Sequence, residues 1–493
     1  MLAAVDLGSN SFRMVIARVV GGVDLRPVDQ LREGVQLAAY LDEDNNLRPE
    51  GRERALACLR LFGQRLRDFP PDSVRAVGTN TLRRARDAED FLVEAEEALG
   101  FPIEVISGRE EARLIYLGAA HSLPEIEGRR LVVDIGGGST ECIVGRGLEP
   151  VVAESLYMGC VGYSLAYFEN GKISERAMRQ AETAARLELR SVKSAFRKIG
   201  WDEASGSSGT ALAIADILRL SGWGEAVTAE GLGKLKKAVL ARGHVDELDF
   251  PSLRRDRARV LPAGLAILSA IFETFKIEKM APSAYSLREG VLFDLLGRLR
   301  HEDMRDRTIQ RLCAQYQVDL EQAERVETTA VRALEKVAAG WHLEPEEGEQ
   351  FLRWAARLHE IGLSIAHSGY HKHGGYLLQY SDLPGFSVQD QRLLALLVRG
   401  QRRRLHKENF SQLPKPEARQ ALRLCLLLRL AILLHRSRSR RELPPMELEA
   451  KGRRLKVGLP AEYLREHPLT EADLGHEAQY LAAAGYTLEV HHV

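Results

Sequence analysis

Two rhythms of hydrophobic and polar residues run along this chain, and the change comes near residue 300. Before it, short β-branched apolar runs alternate with longer stretches whose apolar residues recur at helical spacing, the pattern of an α/β protein with a partly parallel sheet. The runs predict strands over 2–5, 12–20, 74–77 and 103–106, with helices over 50–69, 87–99 and 109–121. From about residue 127 the order starts again, with strands over 131–134, 141–145 and 151–156 followed by long helices. Two similar halves are implied. Past residue 301 helical spacing takes over, with helices predicted over 321–339, 346–366, 388–399 and 416–435. After Pro444 and Pro445, strands over 446–450 and 454–457, a helix over 471–484 and a strand over 487–490 make a small α+β cap. The domains expected are therefore 1–124, 125–300, 301–441 and 442–493.

Composition adds limits rather than an answer. A chain of 493 residues, 45% hydrophobic and 28% charged, with 69 basic and 69 acidic residues, reads as ordinary globular protein with no global charge to name a partner. Cys58, Cys142, Cys160, Cys313 and Cys425 are scattered and never form a CxxC pair, which fits a reducing cytosol. The N-terminus enters a strand at once, so no signal peptide is expected. The most apolar helix, 422–434, is interrupted by Arg423 and Arg429 and is too short to span a bilayer. Charge is local: residues 385–445 hold fourteen basic against four acidic residues, a net +10.

Candidate chemistry begins with a repeat. Asp6-Leu7-Gly8-Ser9-Asn10-Ser11 and Asp134-Ile135-Gly136-Gly137-Gly138-Ser139-Thr140 each end a predicted strand on an acid and a glycine turn. Either alone is a cheap turn. Together they predict a repeated phosphate site, in which glycine at positive φ lets successive N–H groups face one concavity. An acid beside such a loop argues for Mg²⁺, which takes one or two carboxylates, water and phosphate oxygens. A third small-residue turn around Ser208, Gly209 and Thr210 precedes a helix and fits either an anion-contacting loop or an N-cap. Glu110 and Glu111 open a helix, where acids complement the macrodipole; adjacent helical side chains diverge by about 100°, so at most one faces a given ligand. Glu141 can return across its hairpin toward Asp134, and Arg83, just past a strand end, can reach a phosphate or lie on the surface.

These segments resemble the exopolyphosphatase and guanosine pentaphosphate phosphohydrolase (Ppx/GppA) family. The likeness extends through 107–115, Met158-Gly159-Cys160-Val161, 262–268 and 287–292. It implies a duplicated actin-like and sugar-kinase-like (ribonuclease H-like) ATPase fold whose halves close like jaws, then an all-α HD-like domain. It also implies Glu111 as catalytic glutamate, Asp134 and Glu141 as metal-binding acids, Mg²⁺ as cofactor, Arg83 facing phosphate, and a homodimer. Gly138 completes a triple glycine similar to the exopolyphosphatase branch, and Leu358-His359-Glu360-Ile361-Gly362 with His367 to His373 resembles that branch as well. Glu360 stands where HD phosphohydrolases carry aspartate, so a structural role is expected for His359 and Glu360.

The expectation is thus a cytoplasmic, Mg²⁺-dependent exopolyphosphatase. Arg402, Arg403, Arg404 and Lys407, flanked by Arg399, Arg436, Arg438, Arg440 and Arg441, would form a track for long polyphosphate. Nucleic acid is not expected as partner, and the basic stretch leaves association with the inner membrane face open. Guanosine pentaphosphate is the rival substrate. A kinase on this scaffold, or a polyphosphate-sensing module without turnover, are the rival classes.

Overall fold

The computed structural model describes residues 1–21, 24–124, 126–300 and 302–492. They divide into two compact units, Met1–Asp303 and Met304–Val493. The boundaries expected at 125 and 301 fall on residues outside those described.

The first unit holds two sheets. Leu2–Leu7 (β1), Phe12–Val20 (β2), Asp24–Glu33 (β3), Val74–Gly78 (β4) and Ile103–Val105 (β5) lie in the order β3-β2-β1-β4-β5. β1 is almost wholly buried, as its unbroken apolar run requires of a central strand. It pairs antiparallel with β2 and parallel with β4. The second sheet is built from Arg129–Ile135 (β6), Thr140–Arg146 (β7), Glu149–Leu156 (β8), Glu203–Ser207 (β9), Val227–Thr228 (β10) and Lys279–Pro282 (β11). Its order is β10-β11-β9-β6-β7-β8. Without the edge strand β10, each strand of the second sheet has a counterpart in the first, with the same pairing senses. This is the duplicated actin-like arrangement. The hydrophobic pattern does not predict β3, whose side chains are mostly solvent-facing and polar; only pairing with β2 holds it extended.

Two helices join the lobes at backbone distance. The Gly108–Ser122 helix crosses the Leu287–Leu299 helix where a Cβ on Gly290 would overlap the Leu114 carbonyl, and one on Gly118 would overlap that of Ser286. Beside the crossing, Asp294 accepts from Arg75 at 2.6 Å and from Arg113 at 2.5 Å. Arg75 and Arg298 also reach Glu104, and Arg113 also holds Glu110. Burial alone would lift the Asp294 carboxyl, but Arg113 and Arg75 hold it well below the usual range. Removing such a centre would strand buried guanidinium groups.

In the second unit, helices Leu320–Trp341, Pro345–Leu358, Val388–Gly400 and Lys415–Leu434 enclose a core containing Trp341, Trp354, Phe386 and Phe410. The helix predicted over 346–366 stops at Leu358. Gly362 lies in a short 3-10 turn, Ile361–Ser364, packed against the Tyr370 carbonyl with no room for a Cβ. Met304–Gln315 and Tyr370–Tyr380 are further helices the sequence reading did not name. Glu447–Lys451 (β12), Arg454–Leu459 (β13) and Thr487–His492 (β14) form a three-stranded sheet. Leu455, Val457 and Leu488 of that sheet belong to the same apolar core as the helices, so the segments 302–441 and 442–492 share one interior. Among the described residues no helix is long and apolar enough to cross a membrane.

Alanine in place of glycine normally favours a helix interior. At Gly290 the helices would have to part, so Gly290→Ala is expected to lower stability by about 1–3 kcal/mol, read as a fall in the urea midpoint. A rise would show that the crossing is slack.

Candidate active site

The two glycine turns meet across one cleft in the first unit. Gly8, Ser9, Asn10 and Ser11 line it from one lobe, and Gly136, Gly137, Gly138 and Ser139 from the other. Ser208 and Gly209 close a third side. None of the glycines at 8, 136, 137 and 138 adopts positive φ, contrary to the expectation from sequence; Ser208 does, at 77°. The glycines are needed for close approach instead. A Cβ on Gly138 would lie 2.6 Å from Asn80 Oδ1, and one on Gly137 3.2 Å from the Asn10 side chain. Loop carbonyls are drawn off by neighbours: Gln36 N and Ala38 N donate to Asn10 O and Ser9 O, and Cys160 N and Val161 N to Gly136 O and Gly137 O.

Four carboxylates enter the cleft, Asp6 and Glu111 from one lobe and Asp134 and Glu141 from the other. All are buried or nearly so. Burial pushes Asp6 up to about 7, against the pull of Arg13 and Arg288. It also raises Glu111 and Asp134, and lifts Glu141 well above the usual range with the repulsion of Glu111 and Asp134 added. Each of three acids has its own restraint. Glu111 Oε2 accepts from Arg83 Nη1 at 2.7 Å, Asp134 Oδ2 from Ser207 and Ser286 hydroxyls at 2.6 Å each, and Glu141 Oε1 from Ser155 at 2.7 Å. Asp6 Oδ1 is buried with no hydrogen-bond partner.

The Glu110 and Glu111 ambiguity is resolved by their partners. Ser107 caps the helix through Glu110 N, and the Glu110 carboxylate is taken by Arg113, leaving Glu111 to face the cleft. Arg83 lies behind Glu111, also donating to Ile106 O at 2.9 Å, and does not line the cavity. Thr140 gives its hydroxyl to Met158 O, and Thr210 lies against the Cys160 thiol; neither lines the cavity. Arg13 and Arg257 do line it, and the sequence reading named neither. The Arg257 guanidinium fills the space where Gly209 would carry a Cβ. Arg13 follows the first turn by two residues on the alternating strand β2, which is the one signal that could have found it.

Among the described residues no three His, Cys, Asp or Glu side chains converge as a ready cage for an ion. The donor set nonetheless fits a hard divalent cation, which needs one or two carboxylates and completes its shell from water and phosphate. The unpartnered Asp6 oxygen is the observation that favours it.

Against known proteins, residues 15–299 match the Ppx/GppA phosphatase family and residues 304–478 match Ppx/GppA phosphatase, domain III. The chain belongs to the Ppx/GppA phosphatase family. An Aeromonas hydrophila protein named guanosine-5'-triphosphate,3'-diphosphate pyrophosphatase is 41% identical over 99% of this chain and 98% of its own length. A protein of the same name from Aeromonas salmonicida is 40% identical over the same shares. The Aquifex aeolicus family member matches in structure at a TM-score of 0.52 and 28% identity, over 61% of this chain and 98% of that one. An exopolyphosphatase from Cytophaga hutchinsonii has a TM-score of 0.56 at 22% identity, over 60% and 98%, which shows a shared fold. As a Ppx/GppA member the chain is a phosphohydrolase of polyphosphate-like substrates, with the metal-dependent chemistry of that family.

In the second unit His359 is buried, its Nδ1 2.6 Å from Ala356 O, and burial keeps its imidazole below the usual range. Arg438 bridges Glu360 and Asp319, so a guanidinium supplies the positive charge beside that acid. Arg402 stacks 4.8 Å over the Tyr370 ring, while Arg403, Arg404 and Lys407 are exposed on the segment after the Val388–Gly400 helix.

Crowded buried carboxylates cost stability in the protein without a cation. Glu141→Gln removes one charge at constant shape and is expected to raise the melting temperature of chelator-treated protein by about 2–4 °C. An unchanged or lower value would mean that the repulsion is already relieved.

Proposed function

We propose that this phosphohydrolase removes the terminal 5′-phosphate of guanosine pentaphosphate, leaving guanosine tetraphosphate and orthophosphate. The observation that carries the reading is the 41% identity, over nearly the whole of both chains, to a relative named for guanosine-5'-triphosphate,3'-diphosphate. Gly138, which from sequence favoured the exopolyphosphatase branch, has a steric reason in Asn80 and need not report on substrate.

The glycine turns hold the terminal phosphoryl group between the lobes, and Arg13 and Arg257 balance the charge of the rest of the phosphate chain. Asp134 and Glu141, with Asp6, would hold Mg²⁺, which when bound withdraws charge from the phosphoryl oxygens. Arg83 fixes Glu111 through Oε2, leaving Oε1 to orient a water and accept its proton. The water oxygen bonds to phosphorus as the bridging P–O bond breaks, and its electrons leave with the shortened nucleotide. Burial that raises the Glu111 carboxyl makes it a stronger base for this proton.

Inorganic polyphosphate is a second substrate on this reading, favoured by the net +10 of residues 385–445 and the exposed Arg403, Arg404 and Lys407.

Glu111→Gln should cut kcat by roughly 10²–10⁴-fold while KM changes little; near-normal turnover would remove Glu111 from the reaction. In steady-state assays kcat/KM for guanosine pentaphosphate should exceed that for long polyphosphate by about tenfold or more. The reverse order would return the assignment to exopolyphosphatase.

A further inference from the structure

We propose that Ser207 and Ser286 are positioning residues that make Asp134 a single-oxygen cation ligand. Both hydroxyls donate to the same oxygen, Oδ2, at 2.6 Å. A serine hydroxyl has one proton to give, so neither can satisfy a second acceptor while it holds the carboxylate. With Oδ2 saturated from two sides, the carboxylate cannot rotate, and Oδ1 is the atom left to an ion. Outer hydrogen bonds of this kind set the orientation of a ligating carboxylate.

The two serines come from different parts of the lobe. Ser207 ends β9 and stands directly opposite Asp134 in the parallel pairing of β6 with β9. It is fully buried and makes no side-chain cap bond to the helix that follows it, so its hydroxyl serves Asp134. Ser286 caps the Leu287–Leu299 helix in a capping box with Glu289. Capping uses its lone pairs, which leaves the proton for Asp134. The Ser286 carbonyl is also the atom against which Gly118 of the Gly108–Ser122 helix packs. The helix that carries Glu111 and the serine that aims Asp134 therefore share one contact. Water-orienting acid and cation-holding acid are set in a common frame across the two lobes.

This inference rests on the reading of Asp134 as a cation-holding acid, and the test separates the two. Mn²⁺ is titrated into the full-length chain and free aqua-ion is followed by electron paramagnetic resonance, for wild type, Ser207→Ala, Ser286→Ala, Ser286→Thr and Asp134→Asn. The Mn²⁺ dissociation constant is expected to rise about tenfold or more in each alanine variant, and Ser286→Thr, which keeps the hydroxyl, should bind like wild type. Ser207→Ala decides the matter should Ser286→Ala lose its helix cap and unfold. Wild-type affinity in Ser207→Ala, alongside lost affinity in Asp134→Asn, overturns the positioning role and leaves the cation reading standing. Wild-type affinity in Asp134→Asn overturns both.

Discussion

Four carboxylates packed into one cleft repel each other, and most of what surrounds them makes sense as a means of bearing that repulsion. Glu111, Asp134 and Glu141 are buried there and Asp6 is half-buried, so water screens them poorly. Left unrestrained they would rotate apart, take up protons or pull the lobes open. Each restraint is specific: a guanidinium on Glu111, the Ser207 and Ser286 hydroxyls on Asp134, and those of Ser155 and Ser139 on Glu141. Asp6 has an oxygen that none of the described residues satisfies. Arg13 and Arg257 line the same cleft, so charges of both signs face one another across it.

The lobes can share this burden because they are nearly the same structure twice. Each presents an acid at the end of its central strand and a glycine turn into the next. The close crossing of the Gly108–Ser122 and Leu287–Leu299 helices, with the Arg75, Arg113 and Asp294 ion cluster beside it, fixes how the two copies face each other. A few tenths of an ångström there would be felt at Glu111, which sits on one of these helices, and at Asp134, which accepts from the Ser286 hydroxyl at the start of the other.

Local signals made part of this readable. The repeated acid-glycine turns fall within a few residues each, and so do the strands that lead into them. The residues that tune the site do not. Ser207 meets Asp134 through strand pairing across 73 positions, and Ser286 through 152. No window of sequence shows such partners. Glu110 and Glu111 were inseparable until Arg113 claimed one of them. Glycine in a loop predicts positive φ, whereas the backbone here needs only clearance, because sequence carries the residue type and not the neighbour. β3 escaped for a related reason: its pattern is that of a surface, and its partner alone makes it a strand.

In the second unit Arg429 is almost fully buried, its guanidinium shared among Glu477, Gly400 O and Arg403 O. The backbone that displays Arg402, Arg403 and Arg404 is thus tied down from below by a residue of one helix whose charge is balanced by a residue near the end of the chain. The helix that carries Glu477 is therefore more than a cover on the apolar core. Without that carboxylate Arg429 would keep two backbone carbonyls but no countercharge, and the segment it anchors would share the cost.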